Sequence, residues 1–318
     1  MNISFPELQE SLSAFFRRQL PDALALLERW VAINSFTANR AGVDHLGRVT
    51  AGAFESLRFQ TEFIPSVLPG FGHHVVLTRP GRSPRRIGLI SHLDTVFSPE
   101  EEASHDFHWR REGERIYGPG IIDIKGGTLM IHQLLSALKS ITPIVFDSVT
   151  WVVLLNSSEE VLSRDFGQLC LERLPGDALG ALVFETGGRL DERFTLVTSR
   201  KGRATFRLRV EGRGAHAGSQ HHRGANAVVQ ISENIRRIAD LTNYANDLTF
   251  NVGTVSGGTV VNRVPHFASA EIEMRAFSPE VFNAGREALL ALNGQTTVRS
   301  AEDQFPCRVS IEVSEETV

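Results

Sequence analysis

Residues 151–160 have the sequence WVVLLNSSEE, a short apolar run that ends directly in polar and acidic side chains. Two other segments repeat this pattern, namely IGLISHLD at 87–94 and ALVFE at 181–185. Continuous short apolar runs favour strands that are buried on both faces, as in a parallel sheet. Because 128–140 between them has helical periodicity, the alternation of strands and helices predicts an α/β layer.

Each predicted strand ends in residues that can bind a metal ion or transfer a proton. In open α/β sheets, ligands bind outside the carboxyl ends of the strands. We therefore expect these side chains to meet at one edge of the sheet. They are His92, Asp94, Glu159, Glu160 and Glu185.

His92 and Asp94 are two residues apart, so their side chains point the same way at the end of a strand. A metal-binding imidazole commonly donates its other N–H to a carboxylate, which fixes the tautomer. This logic predicts His92 as a ligand and Asp94 as the residue that orients it. A purely structural role for the pair is the alternative.

The segment YGPGIIDIKGG at 117–127 contains glycines that predict a tight turn at the start of a helix. It lacks the spacing of a phosphate-binding loop, and Asp123 would repel a phosphate. A carboxylate that bridges two cations is a better use of Asp123. A glycine turn capped by this residue is the alternative interpretation.

Glu159 and Glu160 are adjacent carboxylates, which repel each other unless a cation is present. One can bind a metal ion while the other acts as general base towards a water molecule. A solvated acidic turn is the alternative for this pair. With Glu185 as a further acid at the same edge, the imidazole and carboxylate groups together suit zinc.

The bulk composition limits the other classes of function. The 318 residues suggest two domains, and the formal net charge of −4 provides no positive field for nucleic acid or acidic lipid. No apolar stretch of about 18 residues predicts a membrane span. Two cysteines and an N-terminus without a signal-peptide pattern predict a cytoplasmic protein.

The composition changes near residue 199, which divides the chain into predicted domains 1–198 and 199–318. Residues 205–211 alternate between apolar and polar side chains, the period of a half-buried strand. The order of elements in the second domain is β-α-β-β-α-β, a ferredoxin-like unit. Its predicted strands and helices are 205–211, 224–240, 248–255, 267–275, 279–293 and 306–313, while the first domain is predicted to begin with helices at 21–32 and 49–57.

The segments SHLDTVF, YGPGIIDIKGG, NSSEEV and VFET together resemble the motif series of one di-zinc metallopeptidase family. That family contains glutamate carboxypeptidase, aminoacylase, acetylornithine deacetylase and succinyl-diaminopimelate desuccinylase. The similarity extends from LALLERWVAINS across nearly the whole chain and is strongest to the glutamate carboxypeptidase branch. The resemblance implies a zinc-peptidase-like α/β catalytic domain with an inserted lid and dimerisation domain.

The resemblance also assigns the metal ligands. By analogy, His92 and Glu185 bind one zinc ion, Glu160 binds the other, and Asp123 bridges both. The Asp123–Ile124 peptide bond would be cis. Two Zn²⁺ ions per subunit are implied for the complete enzyme, with Co²⁺ or Mn²⁺ as substitutes.

Further roles follow from the same resemblance. Glu159 would be the general base, and Asp94 would support the histidine ligand. His216 matches a histidine that reaches the active site of the partner subunit and polarises the scissile carbonyl. Asn262 and Arg275 match positions that hold the substrate's carboxylate or the oxyanion.

The implied reaction is hydrolysis of an amide or peptide bond next to a free carboxylate, in a small peptide or an N-acyl amino acid. A homodimer joined through the lid is expected, with no nucleic-acid or membrane partner. In the family the chain returns to the catalytic domain with a late histidine ligand, whereas here His266 is the last histidine and the chain ends at Val318. We therefore expect an incomplete catalytic domain, and the alternative function is a truncated, non-catalytic homologue that binds metal or dimerises.

Overall fold

The computed structural model describes residues 4–191 and 193–317. The chain separates into two compact units, Met1–Phe194 and Thr195–Val318. The sequence prediction placed the boundary between residues 198 and 199.

The first unit combines helices with a central sheet and two short hairpins. Its helices are α1 (Phe5–Val31), α2 (Arg40–Phe54), α3 (Pro99–Ser104), α4 (Gly126–Ile141), α5 (Pro143–Ser148) and α6 (Arg164–Arg173). Its strands are β1 (Gln60–Pro65), β2 (His73–Arg79), β3 (Arg86–His92), β4 (Arg110–Glu112), β5 (Arg115–Tyr117), β6 (Thr150–Asn156), β7 (Gly180–Val183), β8 (Arg189–Leu190) and β9 (Arg193–Phe194).

The central sheet has the strand order β1-β2-β6-β3-β7. β3 is parallel to both β6 and β7, whereas β1 and β2 are antiparallel to their neighbours. The predicted α/β class and its three parallel strands are therefore confirmed. Burial on both faces is wrong for β7, the edge strand of this sheet, whose four residues are all exposed.

Helices cover both faces of the sheet. On one face, Trp30 of α1 and Ile131 of α4 pack with the strand residues Leu89 and Val153 in one core cluster. On the other face, Phe166 of α6 joins a smaller cluster with neighbouring strand residues. Each large apolar side chain buried in this way contributes about 1.5–3 kcal/mol. This packing holds the strands in the register that aligns their carboxyl ends.

The first two helices differ from the sequence prediction at their ends. α1 begins at Phe5 and contains Pro21, which was predicted to start it. Proline removes one backbone N–H donor from a helix interior, but later residues such as Leu27 and Trp30 pack into the core of the unit, and Phe15 before the proline is also buried. Tertiary packing therefore outweighs the local signal. The second helix covers 40–54 and is followed by a short 3₁₀ turn at 55–57.

The second unit is the predicted ferredoxin-like domain. It contains helices α7 (Ala227–Ala239) and α8 (Pro279–Leu290), and strands β10 (Gly202–Glu211), β11 (Thr249–Gly257), β12 (Phe267–Ala276) and β13 (Arg308–Thr317). The strands form an antiparallel sheet in the order β11-β12-β10-β13. Alternate residues of β10 are buried in the core of this unit, among them Phe206 and Leu208. Their neighbour Arg207 lies on the other face and pairs with Glu271 across the strands.

Candidate metal centre

The parallel strands place three groups of predicted site residues at one edge of the central sheet. β3 ends at His92, which is paired in register with Asn156 at the end of β6. Glu159 and Glu160 follow within a few residues. Just beyond the end of β7, the backbone N–H of Phe184 donates to the carbonyl oxygen of Ile90 in β3. Glu185 is the next residue and therefore lies at the same edge of the sheet.

The four predicted ligands lie close together. His92 Nε2 is 2.9 Å from Asp123 Oδ1 and 3.6 Å from Glu185 Oε1. Ligand atoms of His92, Asp123 and Glu160 all lie within 4.8 Å of one another. Ligands of a tetrahedral zinc ion, with bonds of ~2.1 Å, are about 3.4 Å apart. Small side-chain adjustments would therefore let one ion contact three of these residues.

Asp123 is presented by a wide turn over Ile121–Lys125 that leads into α4. Gly120 at its start has a left-handed φ of 70°, and a Cβ atom there would lie 2.6 Å from Thr95 Cγ2. Only glycine fits this position without displacing its neighbour. The Asp123–Ile124 peptide bond is cis, as the family resemblance predicted. The turn lies at the start of a helix as expected, but it is wide rather than tight.

The side chain of Lys125 anchors the same turn to the chain segment after α1. Its ammonium group is buried and donates a hydrogen bond of 2.9 Å to the carbonyl oxygen of Ile33. Burial lowers the pKa of Lys125 to about 8, although the charge of Glu102 partly opposes this. The turn is thereby tied to the connection between α1 and α2.

Asp94 is fully buried and contacts both His92 and the backbone of the acidic pair. Its carboxylate accepts hydrogen bonds from Thr37 Oγ1 (2.8 Å) and from the backbone N–H groups of Glu159 (3.0 Å) and Glu160 (3.2 Å). His92 Nδ1 is 3.4 Å from this carboxylate and 2.9 Å from the carbonyl oxygen of Asp94. The residue therefore contacts the histidine on one side and fixes the acidic pair on the other. The second contact was not foreseen from the sequence.

The acidic side chains have pKa values shifted upward. Burial, followed by the charge of Asp123, raises the pKa of Glu160 to about 7, although His92 partly opposes the shift. Burial likewise raises the pKa of Glu185, with the charges of Asp123 and Glu159 acting in the same direction. Carboxylates crowded in this way favour protonation or a bound cation. The donor set of one imidazole and several carboxylates fits zinc.

Neighbouring negative charges also raise the pKa of His92, where burial acts in the opposite direction. Burial alone would lower its pKa, but the hydrogen bond and charge of Asp94, with the charges of Glu185 and Glu159, outweigh burial and raise the pKa to about 9. The pocket therefore attracts positive charge strongly. A divalent cation would meet this demand in place of the proton.

A cavity of about 210 Å³ adjoins the centre. Asp123 and Glu160 contribute its acidic wall, and the remaining wall is glycine and apolar side chains. The site thus has room for part of a small molecule next to two of the candidate ligands. The lining residues are Val96, Phe97, Phe107, Gly118, Gly120, Ile121, Ile122, Asp123 and Glu160.

The predicted site residues of the second unit fall into two places. The segment around His216 pairs with that around Arg263, and the N–H of Ala217 donates to the carbonyl oxygen of Asn262, so His216 and Asn262 are neighbours. β12 begins at Phe267, close in sequence to Asn262, and Arg275 lies near its opposite end. At a strand rise of ~3.3 Å per residue, Phe267 and Arg275 are about 26 Å apart. Its guanidinium donates two hydrogen bonds, of 2.7 and 3.2 Å, to Glu273. The structure does not bring Arg275 together with the other two residues.

Comparisons with known proteins agree with this architecture. The family model for the M20 peptidase dimerisation domain matches residues 198–293. Carboxypeptidase G2 from Pseudomonas sp. (strain RS-16) is 32% identical over 269 residues, which are 85% of this chain and 63% of that relative. Acetylornithine deacetylase from Photorhabdus laumondii is 23% identical over 282 residues, or 81% of this chain and 68% of that relative.

Solved structures share the fold. Aminopeptidase PepT from Bacillus cereus superposes with a TM-score of 0.72 at 20% identity, over 92% of this chain and 75% of that one. An M20 family metallo-carboxypeptidase from Sulfolobus solfataricus gives a TM-score of 0.61 at 17% identity, over 89% and 78% of the two chains. At these identities the likeness shows the fold alone.

The fold is shared with an M20 family metallo-carboxypeptidase of known structure. In sequence the chain is similar to the M20 metallopeptidase family, near its glutamate carboxypeptidase branch. The resemblance inferred from the sequence motifs is thereby confirmed. The chain spans 63% of the length of carboxypeptidase G2.

Proposed function

We propose that the chain is the metal-binding part and lid of a zinc-dependent hydrolase that cleaves an amide or peptide bond next to a free carboxylate. The observation that carries the proposal is the convergence of His92, Asp123, Glu160 and Glu185 at one sheet edge. The similarity of the chain to the glutamate carboxypeptidase branch supports activity as a carboxypeptidase or an N-acyl-amino-acid deacylase. The substrate is then a small peptide or an N-acyl amino acid.

Glu159 is the proposed general base. Zinc, when bound, supplies Lewis acidity and lowers the pKa of water. The backbone of Glu159 is held by Asp94, whereas its side chain is exposed and its charge acts on His92 and Glu185. Glu159 accepts a proton from the attacking water and then donates it to the leaving amine.

The lid residues are proposed to bind the substrate. His216 Nδ1 accepts the N–H groups of Gly218 (3.2 Å) and Ser219 (3.1 Å), so the neutral ring carries its proton on Nε2. That N–H is a donor suited to a developing oxyanion. Because Arg275 lies far from His216 and Asn262 within one lid, we assign His216 and Asn262 to the partner's lid and Arg275 to the chain's own.

A homodimer joined through the lid is part of the proposal and is supported by the match to the dimerisation domain. We propose two Zn²⁺ ions per complete subunit, with Co²⁺ or Mn²⁺ as substitutes. A cytoplasmic location is supported by Cys170 and Cys307, which are both free thiols. None of the helices in the described part of the chain has both the length and the hydrophobicity needed to cross a bilayer.

Zinc content and hydrolysis, measured on the same preparations, test the proposal. Wild type is expected to bind zinc and to hydrolyse glutamyl peptides or N-acyl amino acids. Glu159→Gln should bind zinc equally well but hydrolyse at least about 100-fold more slowly. The matched control Glu55→Gln, at an exposed position of the same unit, should behave as wild type. Zinc-free, inactive wild type would instead support a non-catalytic homologue.

A further inference from the structure

We propose that His74 and Asp165 form a positioning relay for the acidic turn, which we define as residues 157–160. This turn carries Glu159 and Glu160. The importance of the relay for metal binding rests on the proposed function. The hydrogen bonds that define the relay are independent of it.

The backbone of the acidic turn is held by side chains rather than by a regular ladder. Its first N–H, that of Ser157, donates to His74 Nδ1 at 3.1 Å. The second donates to Asn156 Oδ1 at 3.0 Å, and the last two donate to the carboxylate of Asp94. Four consecutive N–H groups thus have side-chain acceptors. Asp94 fixes one end of the turn, and His74 fixes the other.

His74 is buried, and its two ring nitrogens have different tasks. Nδ1 accepts the N–H of Ser157, so the proton of the neutral ring lies on Nε2. Nε2 is 3.1 Å from Asp165 Oδ2, which makes it the donor in that bond. The contact with Asp165 therefore fixes the tautomer and the orientation in which the ring can hold Ser157.

Asp165 is anchored independently of the ring. It accepts hydrogen bonds from the N–H of Val67 (2.8 Å), from Ser66 Oγ (2.9 Å) and from Ser163 Oγ (2.8 Å). Burial would raise the pKa of Asp165, but these hydrogen bonds and the one from His74 outweigh burial and hold the pKa well below its usual range. The carboxylate joins the β1–β2 loop and the start of α6 to the imidazole ring.

Ser157, His74 and Asp165 have the composition of a hydrolytic triad, and Ser157 Oγ lies 3.0 Å from His74 Nδ1, but the burial of the serine excludes that role. Ser157 is fully buried, and its hydroxyl lies 2.8 Å from the carbonyl oxygen of Gly72. A nucleophile must reach its substrate. We therefore assign this network the function of positioning the acidic turn.

Two substitutions separate the functions of the two ring nitrogens. In His74→Asn the amide oxygen can occupy the place of Nδ1, so Ser157 keeps an acceptor while the bond to Asp165 is lost. In His74→Gln the amide nitrogen can occupy the place of Nε2, so Asp165 keeps a donor while Ser157 loses its acceptor. His73→Gln is the matched control, because the adjacent His73 also pairs with an aspartate, Asp44, at 3.0 Å.

Amide hydrogen exchange and Co²⁺ affinity provide two separate readouts. In His74→Gln, exchange at the acidic turn should rise about tenfold or more in the metal-free protein. Co²⁺ binding should weaken by about 10- to 100-fold, the usual effect of losing an outer partner of a metal site. His73→Gln should stay within about threefold of wild type in both measurements. His74→Asn should fall between wild type and His74→Gln, because Ser157 keeps an acceptor but the bond from Asp165 that orients it is lost.

Unchanged exchange at the acidic turn in His74→Gln would overturn the relay. So would an equal rise in His73→Gln, because the effect would then be general destabilisation. If wild type binds no Co²⁺, the proposed function fails, while the exchange data still decide the relay. If His74→Gln does not fold, Asp165→Asn provides the second test, and exchange at Ser157 that matches wild type would then count against the relay.

Discussion

Replacing Asp94 with asparagine tests how the buried carboxylate holds the centre together. Oδ1 accepts the N–H of Glu159, and Oδ2 accepts both the N–H of Glu160 and the hydroxyl of Thr37. Asparagine has one acceptor oxygen, which best replaces Oδ2 and leaves its amide group facing the N–H of Glu159. One buried donor then loses a charge-assisted bond, so the free energy of unfolding should fall by about 1.5–3 kcal/mol.

Asp94→Ala removes the acceptors of all three donors, and we expect it to lower the free energy of unfolding by about 3–5 kcal/mol. Urea unfolding at pH 7 in the presence of a chelator measures both variants without a contribution from metal binding. Asp44→Asn, at a partly exposed aspartate, is the control and should change stability less. The explanation is refuted if Asp94→Asn unfolds within ~0.5 kcal/mol of wild type, or if alanine is tolerated better than asparagine.

Three further predictions concern separate parts of the molecule. Glu159→Gln should leave the urea midpoint of the metal-free chain unchanged within error, because its side chain is exposed, and a large loss of stability would contradict a purely chemical role. The folded-state pKa of Asp165 is lowered, so its contribution to stability is present above pH ~4 and is lost as the pH falls towards the folded pKa. The free energy of unfolding of Asp165→Asn should therefore differ most from that of wild type near neutral pH. A difference that grows as the pH falls would contradict this. Phe282→Ala should destabilise the second unit by about 3–5 kcal/mol, because this ring is buried in its core, while zinc binding by the first unit stays unchanged; loss of zinc would show that the two units do not act separately.

The convergence of the candidate ligands could be predicted because the sequence combines two signals at the same places. Apolar runs of strand length fix where the parallel strands end, and the residues that follow them are His92, Glu160 and Glu185. Parallel register then brings these ends to one edge of the sheet. The second unit was predictable for a similar reason, because the period-two pattern of β10 marks a sheet with one buried face.

The parts that were missed depend on tertiary contacts without a local pattern. β1 is almost entirely exposed and has no alternation of apolar and polar residues, so its sequence does not indicate a strand. The bond between His74 and Asp165 joins residues distant in the sequence and depends on the fold of the whole unit. The apolar sequence of β7 reveals neither its exposure nor its place at the sheet edge. Likewise, the pairing of Arg275 with Glu273 becomes visible only with coordinates.

The most direct test of the metal centre is zinc binding by wild type and by the double variant Asp123→Ala/Glu160→Ala, measured by elemental analysis after dialysis against a weak chelator. These two residues supply carboxylates to the group that surrounds the candidate ion position with His92. We predict at least one tightly held zinc ion per wild-type chain and none in the double variant, with both proteins folded. Equal zinc content in the two proteins would contradict the assignment of the centre.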